Sequence, residues 1–251
     1  MWNGSTISVI LPTYNEKDSI RACIESFEEL GIVDEILVIN NNAAAGTSEE
    51  VAPTSAREII ETRQGYGWAI RRGLKESRGE YIILAEPDGT FLARDTLKLL
   101  AYSDDFDVVY GSRTARMFIW HGANMGLFLR WGNWAVAKMM ELLFDTTNLT
   151  DVGCTMRLLR RDAYLQMEPF FTIGGSHFGP EMMLVSVLQG HRVVQIPVNY
   201  LPRVGESSVT GSTSKAFVLG MEMIRLVWQY RIKSWLGATS LPRTVRAISR
   251  D

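Results

Sequence analysis

The chain alternates short apolar runs with longer segments whose apolar residues return every three or four positions. "ISVIL" (7–11), closed by Pro12, predicts a buried strand. Ile20, Cys23, Ile24, Phe27 and Leu30 then fall at helical spacing, with Gly31 as a stop. "EILVI" (35–39) predicts a second strand ending in the polar turn "NNNAAAGTS", and "REIIE" (57–61) a weaker third. "GYGWAIRRGLKESRG" reads as a glycine-started helix with Ala69, Ile70 and Leu74 inward. "YIILA" (81–85) and "FDVVYG" (106–111) are a fourth and fifth strand, separated by a helix near 95–102. Such alternation predicts an α/β fold with a largely parallel sheet.

Beyond residue 112 the pattern changes. Segment 117–144 is rich in Met, Phe, Leu and Trp and predicts a helix, with Trp120, Trp131 and Trp134 among cationic residues. It suits either a core helix or a helix at a membrane interface. "HRVVQIPVNY" (191–200) predicts a strand, and Pro197 favours an edge or an end. In the last helix, about 214–235, apolar residues are too widely spread for a clean stripe. Its Trp228, Tyr230, Trp235, Arg231 and Lys233 fit an interfacial helix or packing on a partner subunit.

With 251 residues the chain can bury a sizeable core, and a net charge of -2 argues against duplex nucleic acid as a partner. Cys23 and Cys154 have no metal-ligand spacing and suit a reducing cytosol. The N-terminus does not read as a signal peptide. A membrane span needs roughly 20 mostly apolar residues. Charges interrupt both candidates, at His121, Arg130, Lys138 and Glu141 and at Glu222, Arg225, Arg231 and Lys233.

Ligands of open parallel sheets collect at the carboxyl ends of the strands. That rule gathers Pro12–Glu16, Asn40–Asn42 and Glu86–Asp88 on one rim. Pro-Asp-Gly at 87–89 is turn chemistry in its own right. Two acids one residue apart are also tolerable where a dication and phosphates bind. Asp88, with Glu86, supplies the oxygen ligands a hard cation such as Mg2+ or Mn2+ takes, and a nucleoside diphosphate sugar suits the rim.

In these motifs the sequence resembles the family-2 inverting glycosyltransferases of the GT-A fold, and more narrowly the polyprenyl-phosphate (dolichyl-phosphate) mannose or glucose synthases. The resemblance runs from about 7 to 210 through "ILPTYNE", "RQGYGWAIRRGL", "SRGEYIILAEPDGTF", "VVYGSR", "TDVGCTMRLLRRDAY" and "IPVNYLPRVGESS". It implies a Rossmann-like GT-A domain over 1–211, a donor half to about 113 and an acceptor half from about 114. Helices cover both faces of the sheet, and an amphipathic helix and tail follow over 212–251. It places Pro12, Tyr14, Glu16, Asn41 and Gly65 on the nucleotide, and Glu86 and Asp88 on the metal and donor. Arg113, Arg130 and Arg203 match cationic positions around the donor and acceptor phosphates, and each also reads as a surface cation or helix salt bridge. Two departures stand out. Asn40–Asn42 replaces the acidic second loop of relatives, and Glu86 replaces the first Asp of Asp-x-Asp. Asp88 is therefore the direct metal ligand, with Glu86 reaching the metal through water or turning to the ribose.

A phosphate acceptor attacks without a base and needs cations, which Arg203, Arg113 and Arg130 supply, with hydroxyls from Ser207 or Ser208. A hydroxyl acceptor needs a general base. Glu181 is the candidate, and it also reads as a first-turn helix carboxylate after Pro180. Three functions follow: hexose transfer to a polyprenyl phosphate at the cytosolic face of a membrane, transfer to a glycan or lipid hydroxyl, or nucleotide-sugar binding without turnover.

Overall fold

The computed structural model describes residues 1–205 and 213–236. Its elements run β1 (Ile7–Thr13), α1 (Lys17–Glu28), β2 (Glu35–Asn40), α2 (Thr47–Val51), β3 (Arg57–Ile60), α3 (Tyr66–Glu76), β4 (Tyr81–Leu84) and α4 (Thr96–Leu100). They continue with β5 (Val108–Ser112), α5 (Leu127–Phe144), β6 (Arg157–Arg160), α6 (Arg161–Met167), α7 (Phe178–Leu188), β7 (Val193–Pro197) and α8 (Thr213–Trp235). The seven strands form one sheet in the order β3-β2-β1-β4-β6-β5-β7.

Both faces of that sheet are buried, which is why its strands read as continuous apolar runs. Ile10, Leu37, Ile39, Ile82, Leu84, Val108 and Leu159 point to one core, shared with α3, α5, α7 and α8. Their neighbours Val9, Leu11, Ile36, Val38, Ile83, Val109 and Leu158 point to the other, against α1 and α4. Helix α3 sits directly on β1 and β2 because Gly73 has no side chain: a Cβ there would stand 3.1 Å from Ile39 Cγ1.

Three features depart from the sequence reading. Strand β6 was not expected; it runs antiparallel to both β4 and β5. Its four residues, "RLLR", are too short to show a period, and Arg157 looks polar yet is 3% exposed. Helix α5 starts at Leu127, not 117, because 116–118 form a single 3-10 turn and Ile119 bridges to Tyr200. In α8 the buried positions Met223, Leu226, Val227 and Tyr230 do follow helical spacing. Phe217, Met221, Trp228, Ile232 and Trp235 on other faces are exposed and blur that stripe in the sequence. Pro197 ends the edge strand β7, as its chemistry suggested. No helix among the described residues is long and apolar enough to cross a membrane.

Candidate active site

The parallel set β3-β2-β1-β4 brings the predicted rim together in space. A cavity of about 620 Å³ opens on it, lined by Pro12, Tyr14, Glu16, Asn41, Gly65 and Glu86, and also by Arg113 and Arg203. Asp88 lies just beneath, 1% exposed.

The turn after β4 holds Asp88 firmly. Its Oδ1 accepts the Thr90 amide at 2.9 Å and the Thr90 hydroxyl at 2.6 Å, while Ser19 Oγ donates to Pro87 O at 2.6 Å. Oδ2 accepts no hydrogen bond of good geometry, and its neighbour is Arg203 Nη1 at 2.8 Å. The same guanidinium reaches Glu16 Oε1 at 2.7 Å and Glu86 Oε2 at 3.9 Å. One arginine thus offsets three carboxylates. Glu16 in turn accepts the amides of Tyr14 and Asn15, which shapes the loop after β1. Burial, and then the charge of Asp88, push the Glu86 carboxyl up to about 8.

Asn41 is 3% exposed and fully engaged. Its Nδ2 donates to Glu61 O and Arg63 O, both at 2.8 Å, and its Oδ1 accepts the Gly65 amide at 2.8 Å. Gly65 adopts φ +144°, a conformation that favours glycine, and a side chain there would run into Gly174 O. This explains one sequence departure: an aspartate at 41 would set an oxygen against two carbonyl oxygens. Asn41→Asp is expected to lose about 2 kcal/mol of stability and to weaken donor binding, read by urea denaturation and nucleotide titration. Equal stability in the two proteins would remove this account.

Arg113 is clamped rather than free. Nε and Nη2 donate to the two Asp151 oxygens at 2.9 and 3.0 Å, and its amide donates to Oδ2. Burial alone would raise the Asp151 carboxyl, but the Arg113 charge and hydrogen bonds outweigh it and hold it below the usual range. Asp151 lies in "TDVGC", a motif legible in the sequence, but its pairing 38 residues away with Arg113 is not. Thr90, the anchor of Asp88, was likewise missed, although its place in Asp-Gly-Thr after a strand is a signal for a side chain closing a turn.

Two further expected residues are placed away from the rim. Glu181 is 0% exposed and lines neither the active-site cavity nor the neighbouring one on α5; its carboxylate accepts the Thr172 and Ile173 amides and the Thr172 and Tyr230 hydroxyls, so it ties α7 and α8 together. Arg130 is not brought to the rim: it lines a neighbouring cavity on α5. Ser207 and Ser208 lie outside the described residues.

Residues 8–167 match the sequence model of Glycosyl transferase family 2. The chain belongs to that family. This glycosyltransferase is 30% identical over 210 residues to the low-salt glycan biosynthesis hexosyltransferase Agl6 of Haloferax volcanii, covering 81% of its own length and 50% of Agl6. The chain thus spans half the length of that relative. It is 24% identical to a dolichyl-phosphate hexose transferase of the same organism, over 90% of this chain and 96% of that one. Its fold superposes on glucosyl-3-phosphoglycerate synthase of Mycobacterium tuberculosis, solved with Mn2+, UDP-glucose and phosphoglyceric acid, with a TM-score of 0.71 at 16% identity. That overlap covers 91% of this glycosyltransferase and 80% of the synthase, and the architecture is the GT-A arrangement that the resemblance implied.

Proposed function

We propose that the enzyme transfers a hexose from a nucleotide diphosphate sugar to a polyprenyl phosphate, with inversion, at the cytosolic surface of a membrane. One observation carries this reading. The cavity that holds Glu86, Arg113 and Arg203 at its polar end continues between α5 and α8 into an apolar wall of Met125, Phe128, Leu129, Phe217, Met221 and Ile224. A cationic end joined to an apolar trough fits a phosphate carrying a hydrocarbon chain. The names of two relatives, a dolichyl-phosphate hexose transferase and a hexosyltransferase, support the same reading.

A divalent cation, as in the Mn2+ complex of the structural neighbour, fits the residues present. Asp88 Oδ2 is buried with only Arg203 beside it, and Glu86 borders the cavity. Among the described residues no cluster of three or more His, Cys, Asp or Glu side chains could hold a metal, so donor phosphates and water would complete the shell. When bound, the ion supplies Lewis-acid stabilisation of the leaving diphosphate. The protein's own residues do the rest. Glu16 and Asn41 fix the loops of the nucleotide pocket. Arg113, oriented by Asp151, presents its charge to the cavity where a phosphate would lie. The acceptor phosphate is already anionic, so no side chain removes a proton. Its oxygen bonds to the anomeric carbon as the bond to the donor diphosphate breaks, and the electron pair leaves with the nucleoside diphosphate.

Arg203 stands where an incoming cation has to compete. Arg203→Met is expected to tighten donor-free Mn2+ binding by about tenfold, the loss of roughly 1.4 kcal/mol of competition. The same change lowers transfer by about a hundredfold, because a cation facing phosphate is lost. Electron paramagnetic resonance of free Mn2+ measures the first effect, and weaker Mn2+ binding in the variant would contradict this role.

The function itself is tested by incubating the purified chain, Mn2+ and radiolabelled UDP-glucose or GDP-mannose with short polyprenyl phosphates. Label entering the organic phase is expected with one donor. Label that reaches a polyprenol but not its phosphate would refute a phosphate acceptor.

A further inference from the structure

The substrates of the proposed reaction have four parts, and on that reading three of them have places along the cavity. The nucleoside lies against Pro12, Tyr14, Asn41 and Gly65, the phosphates against Glu86, Arg113 and Arg203, and the hydrocarbon chain between α5 and α8. A fourth stretch of wall is left over. Tyr66, Thr155, Arg157, Gly179 and Pro180 form it, where the start of α3 meets the lead-in to β6 and the first turn of α7.

Arg157 ties the walls of this recess together. Its Nε donates to Cys154 O at 2.9 Å, Nη1 to Gly179 O at 2.7 Å and Nη2 to Val152 O at 3.4 Å. Its charge rests over the Tyr110 ring, 5.1 Å from the centroid. Met156 is buried in the opposite core layer, so the alternation of an extended chain turns Thr155 to the same side as Arg157. Tyr66 is held from behind. It stands between Gly65 and Gly67, and a side chain at either glycine would run into the backbone of Gly174.

Two hydroxyls in the recess lack partners. Thr155 Oγ1 is buried and makes no hydrogen bond. Among the described residues the Tyr66 hydroxyl makes none either. Burial, and then the Glu86 charge, push the Tyr66 phenol above its ordinary range, so it keeps its proton and can donate. Leaving a buried hydroxyl unmet costs the free protein stability, and a ligand hydroxyl that meets it recovers that cost on binding. The hexose is the part of the substrates that presents several hydroxyls, each both donor and acceptor. We infer that Thr155 and Tyr66 contact hydroxyls of the donor's hexose and set which hexose is taken. A site built to pair a hydroxyl rejects the epimer that places it elsewhere, because its own polar groups are then left unpaired. The inference rests on the nucleotide-sugar reading above and adds to it the residues that choose the sugar.

The experiment uses the full chain with Mn2+, titrated calorimetrically with UDP, UDP-glucose and UDP-galactose, and with GDP, GDP-mannose and GDP-glucose. The wild type is expected to bind one nucleotide series and to prefer one sugar of its pair. Thr155→Val and Tyr66→Phe remove a hydroxyl and keep the shape of the side chain. Each is expected to hold the bare diphosphate within about twofold of the wild type and to bind the preferred nucleotide sugar about fivefold more weakly. Each also loses about fivefold of the kcat/KM preference over the epimer. Thr155→Val removes the unmet buried hydroxyl as well, and raises the melting temperature of the free protein by about 2–4 °C. A merely structural residue would not give a variant that is more stable and weaker toward the sugar alone. Unchanged nucleotide-sugar affinity and unchanged preference in both variants, with the diphosphate still bound, would overturn this inference and leave the nucleotide-sugar reading standing. A wild type that binds neither the diphosphates nor the nucleotide sugars would overturn both.

Discussion

Asp88→Asn is expected to lower hexose transfer by about three orders of magnitude, the consequence of losing roughly 4 kcal/mol of transition-state stabilisation. The substitution keeps the turn. An amide oxygen can still accept the Thr90 amide and hydroxyl, now bonded to Asp88 Oδ1 at 2.9 and 2.6 Å. The amide nitrogen then takes the position of Oδ2 and points N–H groups at Arg203 Nη1, 2.8 Å away in the wild type. The buried anionic oxygen disappears, and with it the protein's direct hold on a dication. Arg203 keeps Glu16 at 2.7 Å, so the loop after β7 stays tethered. The variant is therefore expected to melt near the wild type, to bind Mn2+ poorly with or without donor, and to turn over slowly in a single-turnover assay. Normal transfer in Asp88→Asn would remove Asp88 from the donor site altogether.

That residue was readable because the signals around it are local. An apolar run followed by acids, a proline and a glycine lies within eleven residues, and the rule that ligands gather at carboxyl ends of parallel strands placed it beside Glu16 and Asn41. The donor side of the fold was legible for the same reason: β1, β2 and β4 are runs of mostly buried residues bounded by turns. The missing parts depend on contacts between distant residues. Arg157 opens β6 and is buried against the carbonyls of Cys154 and Gly179, so a charged letter stands where the core continues. Asp151 shows its purpose only when paired with Arg113. Arg130 and Arg113 both read as phosphate cations in sequence, yet α5 turns Arg130 into a different cavity. In α8 the packed and exposed faces are both apolar, and only the buried contacts tell them apart.

Glu181 shows most sharply how one letter carries two readings, and Glu181→Gln separates them. Its Oε1 accepts the Thr172 hydroxyl at 2.5 Å and the Tyr230 hydroxyl at 2.9 Å, and its Oε2 accepts the Ile173 amide at 2.9 Å. Burial, and then the neighbouring Glu181 charge, push the Tyr230 phenol above its ordinary range, so it stays a donor. A glutamine supplies one acceptor oxygen and one N–H2 group. With its oxygen at the Oε2 position the glutamine still accepts both amides, but the Thr172 and Tyr230 hydroxyls must turn their protons away from the new N–H2 group, and every charge-assisted hydrogen bond becomes a neutral one. The expected loss is about 3 kcal/mol, or a melting temperature lower by about 6–12 °C in a domain of this size. Tyr230→Phe loses the one bond and is expected to cost about 1 kcal/mol in the same direction. Both variants should transfer hexose at close to the wild-type rate when assayed well below their melting points, because the carboxylate lies inside the protein and away from the acceptor. A general base would behave in the opposite way: unchanged melting, a collapsed turnover and an altered pH profile. Observing that pattern would return Glu181 to the reaction and make a hydroxyl, not a phosphate, the acceptor.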